Sequence, residues 1–146
     1  LGGSSEAAIR RTARFGTGWQ AGFETPDEAG VAIAAIKAAV AEQGRRIAPD
    51  HYGAGFAFRY GAWDDEPVRR IAEAYRARSG RDPRGAIVAG DTDAVMARIG
   101  DYVAAGVSKF ILRPIGSDDA DIMAQTQRLI DETLPAVKAL NDRTAA

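Results

Sequence analysis

Gly2-Gly3-Ser4-Ser5, directly ahead of a helix signal, is the first stretch with chemistry in it. Two glycines let a backbone approach a ligand closely, and the free N–H groups of a helix start favour a phosphate. An ordinary capped turn would carry the same residues. His51 is the only histidine. Its type suits acid–base work near neutrality, but Pro49 and Asp50 beside it spell an exposed loop without a partner pattern. Trp19 could wall a planar cofactor or simply fill core. Arg113 ends the best strand of the sequence, where barrel enzymes keep their active residues. There it would bind substrate, or else pair with Asp118 or Asp119. Gly53-Ala54-Gly55 is no dinucleotide fingerprint, because it lacks a third glycine and runs into a strand. No phosphate-binding P-loop is present. With no cysteine and one histidine, thiolate nucleophiles, disulfides and His- or Cys-rich metal sites are excluded, so no metal is expected.

The elements that must hold these residues alternate along the chain. A helix is predicted over Ser5 to Arg14, capped by Ser4 or Ser5, with Ala8, Ile9 and Ala13 inward. Gly16 to Gln20 reads as a short strand. Thr25-Pro26-Asp27-Glu28 opens a second helix as a reciprocal cap with proline at its first position. That helix should bury Val31, Ile33, Ile36 and Val40 and stop at a left-handed Gly44. Tyr52 to Tyr60 reads as a strand, and Val68, Ile71, Ala72 and Tyr75 as the inner face of the next helix. Ala86 to Ala89 is a short extended piece. Asp91 caps a helix with Val95, Ile99, Tyr102 and Val103 on one face, ended by Gly106. Lys109 to Arg113 is a continuous apolar run of the kind that suits a strand buried on both faces. The last helix spans about Asp118 to Leu140, with Ile122, Leu129, Ile130, Leu134 and Val137 inward, and Pro135 should kink it or split off its end.

Such alternation means parallel β/α units. The 146 residues make one domain and can supply only about half of a (β/α)8 barrel, which needs roughly 200 to 250. A small open α/β sheet is the other architecture. Nineteen basic against twenty acidic residues give a net charge of -1, which offers no footprint for nucleic acid. No apolar run is long enough to span a membrane. The first residues do not form a signal peptide, so the chain is read as cytoplasmic. An initiator Met is absent, which suggests a piece of a longer chain.

Gly2-Gly3-Ser4-Ser5-Glu6-Ala7-Ala8 through Arg14-Phe15-Gly16-Thr17-Gly18-Trp19 resembles the middle of bacterial luciferase-like monooxygenases, with Thr17 in place of the usual Asp. Thr25-Pro26-Asp27-Glu28, Gly44-Arg45, Gly90-Asp91-Thr92-Asp93 and the run from Ala105 to Pro114 look like that family's later landmarks, so the resemblance covers roughly residues 1 to 137. It implies the C-terminal half of a (β/α)8 barrel that uses FMN or the deazaflavin coenzyme F(420). The resemblance further implies that Gly2, Gly3, Ser4, Ser5, Gly18 and Trp19 lie at the cofactor-phosphate end. Other contacts would come from the first half, so no catalytic residue is assigned. Sixteen arginines against three lysines suit a GC-rich bacterium.

Strands near Thr17–Gln20, Ala54–Arg59 and Lys109–Leu112 are therefore expected to be parallel and adjacent in one curved sheet. An inner face of Trp19, Phe56, Phe58 and Ile111 should need cover, from a missing N-terminal half-barrel or from a homo-oligomer. The function expected is that of a flavin- or deazaflavin-dependent oxidoreductase acting on a small-molecule substrate. The alternatives are a non-catalytic truncated paralogue or assembly partner, and a small α/β module that binds a phosphate ligand.

Overall fold

The computed structural model describes residues 1–144, with side chains through residue 141. The elements in order are α1 (Glu6–Phe15), β1 (Trp19–Gln20), α2 (Pro26–Glu42), β2 (Tyr52–Tyr60), α3 (Glu66–Ser79), β3 (Ile87–Gly90), α4 (Thr92–Ala104), β4 (Lys109–Pro114), α5 (Asp119–Arg128) and α6 (Leu134–Thr144). Leu1–Gly55 with Gly100–Ile111 form one compact unit, and Phe56–Ile99 with the segment from Leu112 onward form another.

All four strands belong to one sheet. In the first unit β1 pairs parallel with the start of β2, Trp19 opposite Tyr52 and Gln20 opposite Gly53. In the second, β3 pairs parallel with the end of β2, Ala57 opposite Ile87 through Tyr60 opposite Gly90. β4 also pairs with β2. The N–H of Ser108 donates to the Tyr52 carbonyl and that of Ile115 to the Phe58 carbonyl, so both chains advance in the same sense. The parallel arrangement expected from the alternation is what the structure has.

Local signals act as the sequence says. Thr25 and Glu28 form the reciprocal cap, Ser5 caps α1, and Asp91 accepts from the N–H of Ala94. Gly44 and Gly106 take positive φ (63° and 97°) just past α2 and α4, a conformation that costs glycine little. Arg45 then caps the C-terminal end of α1, donating to the carbonyls of Ala13 and of Gly16, the latter at 2.8 Å.

Several inward assignments are corrected. On β2 the even-numbered Tyr52, Ala54, Phe56, Phe58 and Tyr60 are all buried, while Gly55, Ala57 and Arg59 are half-buried. The aromatics meet helix side chains: Lys37 lies over Tyr52, Arg98 over Phe56 and Arg128 over Tyr60. Trp19, Phe56 and Phe58 therefore need no further cover, and on the other side of β2 Ala57 packs against Val68, Ala72, Ile87 and Ile115. β4 is not buried on both faces: Lys109, Ile111 and Arg113 are exposed, and Phe110, Leu112 and Pro114 half-buried. The first strand is shorter than Gly16–Gln20. Val31 is exposed because it lies about 200° round the helix from the buried Ala29 and Ile33. Ile71 and Val103 fall at the margins of their buried faces and are exposed.

The last helix differs most. Leu129–Thr133 forms a π-turn, closed by the N–H of Leu134 on the carbonyl of Leu129. Pro135 lacks an N–H and its ring clashes with the preceding turn of an α-helix, and a widened turn ahead of it keeps the helix going without a break. The widening also changes which residues point inward. An α-helix would set Gln125 and Thr133 about 80° apart, and a π-turn between them removes most of that angle. Both are buried on Tyr60: Gln125 accepts from its N–H at 2.7 Å, and the Thr133 hydroxyl lies 2.6 Å from its phenol oxygen. Ile122, Ile130 and Leu134 are consequently exposed rather than inward, and Leu129 and Val137 are half-buried.

Thr12, wholly buried in α1, has a hydroxyl without a hydrogen-bond partner. Thr12→Val keeps the shape and removes the stranded donor. It should raise stability by about 1 kcal/mol in urea denaturation, and a loss of stability would count against an unpartnered hydroxyl.

Candidate functional site

The chain enters the Gly-Gly-Ser turn from a strand-like pairing. The Leu1 carbonyl accepts from the N–H of Gln20 at 2.8 Å, and Gly2 bridges to Gln20 in parallel. Gly3 then turns at φ +90°, where a side chain would be strained and a Cβ would come 3.2 Å from that of Ala8. Ser5 follows as cap, its hydroxyl accepting from the N–H of Ala8 at 3.3 Å. The turn thus sits at the C-terminal end of a parallel pairing and opens into a ten-residue helix whose first N–H groups have no partner within the helix.

Trp19 is brought to this turn, but not as a wall. It is 2% exposed, and its indole N–H donates to the Gly3 carbonyl at 3.0 Å. Its contribution is to hold the Gly3 peptide in place. Ser4 meets Glu24, which belongs to none of the motifs. Burial pushes the Glu24 carboxyl up, yet hydrogen bonds from Ser4 and from the N–H groups of Glu24, Gly22 and Phe23 together hold it below the usual carboxylate value. The Gly22 and Phe23 N–H groups lie 2.7 and 3.1 Å from its oxygen. A carboxylate therefore already sits beside the Gly-Gly-Ser turn. The available signal was an acid in the short loop after β1.

Gly18 is placed elsewhere. Its Cβ position is 2.6 Å from the His51 carbonyl, so no larger residue fits without moving backbone. With Leu1, Thr17, Trp19, Gln20, His51, Gly53 and Lys109 it lines an open pocket of about 260 Å³, to which Gly3, Ser4 and Ser5 do not contribute. Tyr52 and Lys109 begin β2 and β4, so the pocket lies at the N-terminal ends of the strands. His51 donates from Nδ1 to the Thr17 carbonyl at 2.8 Å and is an exposed tether there.

Within the second unit Arg113 is exposed. Among the described residues it pairs with neither Asp118 nor Asp119, since Asp118 instead caps α5 through the N–H of Asp121. The buried-side guanidinium belongs to Arg59, which donates to Asp65 at 2.9 Å, to Asp121 at 2.7 Å and to the Ile115 carbonyl at 2.9 Å. It ties together the two loops that follow β2 and β4. A lone arginine near the end of an aromatic strand was the signal for it, because a charge in that position must be paired.

No family model matches the sequence, and no curated protein matches it. Solved structures do. The chain is similar to the EDTA monooxygenase EmoA from Chelativorans sp. BNC1 (18% identity, TM-score 0.63), with 94% of this chain matched to 43% of that one. It is similar to the coenzyme F(420)-dependent tetrahydromethanopterin reductase from Methanopyrus kandleri (17%, 0.63), 93% matched to 50%. It is also similar to the monooxygenase RslO1 from Streptomyces bottropensis (16%, 0.64), 92% matched to 46%. The likeness is one of fold: the parallel α/β arrangement of this chain matches about half of each of these structures, as expected for a half-barrel. It spans about half the length of the structures it matches. Among the described residues, no helix is long and apolar enough to cross a membrane.

Proposed function

We propose that this chain is the C-terminal half-barrel of a cytoplasmic bacterial oxidoreductase dependent on FMN or coenzyme F(420), and that it supplies the phosphate side of the cofactor site. The observation that carries the reading is the left-handed Gly3 opening into the Ser5-capped start of α1 at the C-terminal end of a parallel pairing. That geometry fits a phosphate, with N–H groups of residues 4 to 6 and the hydroxyls of Ser4 and Ser5 as donors. Such a cofactor, when bound, carries the hydride or oxygen chemistry itself. The chain's own part is to grip and orient it, with Trp19 fixing the turn, while a complementary half-barrel completes the ring site and binds the small-molecule substrate. Arg113, exposed at the end of β4, is the substrate contact proposed on this side.

One observation favours a second reading. The Glu24 carboxylate already engages Ser4, and an anion there repels a phosphate. On that reading the chain is a non-catalytic assembly partner. Titrating the protein with FMN and with riboflavin, followed by flavin fluorescence, separates the two. Weak binding of FMN that exceeds riboflavin, is lost in Gly3→Val and improves several-fold in Glu24→Gln is the expected result. Equal quenching of both flavins, or no effect of Gly3→Val, would remove the phosphate site.

A further inference from the structure

The side chain of Glu24 is held in place beside the Gly-Gly-Ser turn. The N–H groups of Gly22 and Phe23 donate to one of its carboxylate oxygens at 2.7 and 3.1 Å, and Ser4 donates to the carboxylate as well. Its backbone is pinned too. The Tyr102 hydroxyl donates to the Glu24 carbonyl at 2.8 Å, and Thr25, next in sequence, caps α2. A hydroxyl has one proton to give. With the Ser4 proton spent on Glu24, the donors left to a phosphate are the N–H groups of residues 4 to 6 and the hydroxyl of Ser5, whose oxygen already accepts from Ala8. All of these are neutral.

The fixed charges at the turn cancel as well. Glu6, the first residue of α1, pairs with Arg10 one turn on. Among the described residues, Arg11 is the cation that touches the turn, donating to the Gly2 carbonyl at 3.5 Å, and it offsets Glu24. One negative charge on a ligand is therefore met by neutral donors and the start of a helix, while a second finds no cation and faces a carboxylate. Gly3, Ser4 and Ser5 are exposed, so a phosphate held here keeps room for a second ester arm.

We propose that Glu24 determines specificity at this site by charge: the turn takes a phosphodiester, with one negative charge, in preference to a phosphomonoester, which carries close to two above about pH 7. The inference rests on the phosphate site proposed above. Of the two cofactor classes, coenzyme F(420) is a diester and FMN a monoester. A second charge close to a surface carboxylate should weaken binding by about tenfold.

Riboflavin, FMN and the methyl phosphodiester of FMN share one ring and differ in phosphate charge. Titrating the 146-residue chain with each at about pH 8, where the monoester is fully ionised, and following flavin fluorescence isolates the effect of charge. The methyl ester is expected to bind about tenfold more tightly than FMN, and FMN more tightly than riboflavin. Glu24→Gln, with circular dichroism showing the fold intact, should tighten FMN several-fold and the ester less, closing the gap. An ester no tighter than FMN on the unaltered chain would overturn the proposal and leave the phosphate site standing. A gap unchanged in Glu24→Gln would overturn the role of Glu24. If neither phosphate form exceeds riboflavin, the phosphate site itself falls, and the proposal with it.

Discussion

Phe58→Ala is expected to remove about 3–5 kcal/mol of folding free energy, a large part of the roughly 5–15 kcal/mol that a domain possesses. Phe58 has no exposed surface and meets Tyr60 edge-on, with ring centroids 5.4 Å apart. Truncation would open a void in the layer where β2 meets its helices, and would remove the aromatic pairing as well. Urea denaturation followed by tyrosine fluorescence and far-UV circular dichroism measures it. A loss below about 1 kcal/mol would mean that the even-numbered side of β2 is loosely packed.

Arg59, next in sequence and on the other side of the strand, should give the second large effect by a different route. Arg59→Met keeps the aliphatic stem but leaves Asp65 and Asp121 without their cation and the Ile115 carbonyl without its donor. Removing one member of a part-buried charge cluster strands the others, and the thermal midpoint should fall by about 5 °C or more. The variant should also change the response to acid. The hydrogen bond from Arg59 holds the Asp65 carboxyl below its ordinary value, and the Ser117 N–H together with Arg59 does the same for Asp121. Carboxylates depressed in the folded chain contribute stability above their unfolded value, near about pH 4. That contribution drains away as pH falls through the lower folded values. Wild-type protein should therefore lose stability steeply below about pH 4, and the Arg59→Met variant less steeply. Parallel acid curves, or an unchanged midpoint at neutral pH, would show that the cluster holds nothing together.

What could be read in the sequence and what could not divide along physical lines. Caps and stops are local, so Thr25 with Glu28, Ser5, Asp91, Gly44 and Gly106 were legible from neighbouring residues alone. The parallel strand order followed from alternation of whole elements. What covers each side of β2 did not follow. Aromatics alternating with Gly and Ala fix two sides of a strand but not their neighbours: Lys37, Arg98 and Arg128 lie over the aromatic side, and Val68, Ala72, Ile87 and Ile115 pack with Ala57 on the other. In β4, five apolar or long side chains in a row say nothing about how many layers lie against them. The inward side of the last helix was misread for a sharper reason. Helical periodicity assumes 3.6 residues per turn, and one wide turn rotates everything after it. The Gly-Gly-Ser turn is announced by its glycines, whereas nothing in the sequence marks Glu24 as the carboxylate that engages Ser4.

Gln125 gives the end of β2 an unusual neighbour. Its side-chain amide has the same donor and acceptor as a peptide group, and it uses both on Tyr60, accepting from the N–H at 2.7 Å and donating to the carbonyl at 3.5 Å. On the edge of β2 that faces β4, the rung beyond Phe58 is thus supplied by a helix rather than by a strand, while on the other edge Tyr60 stays in register with Gly90 of β3. A rung made in this way is detachable. If α5 steps back by even a fraction of a turn, the peptide of Tyr60 comes unlaced while the pairings of Ala57 and Phe58 with β3 stay whole. The phenol of the same residue, anchored on Thr133 at the end of the wide turn, would be pulled by the same motion. Tyr60 is thus a clasp at the rim of the sheet, fastened at its backbone and at its tip by the same run of helix.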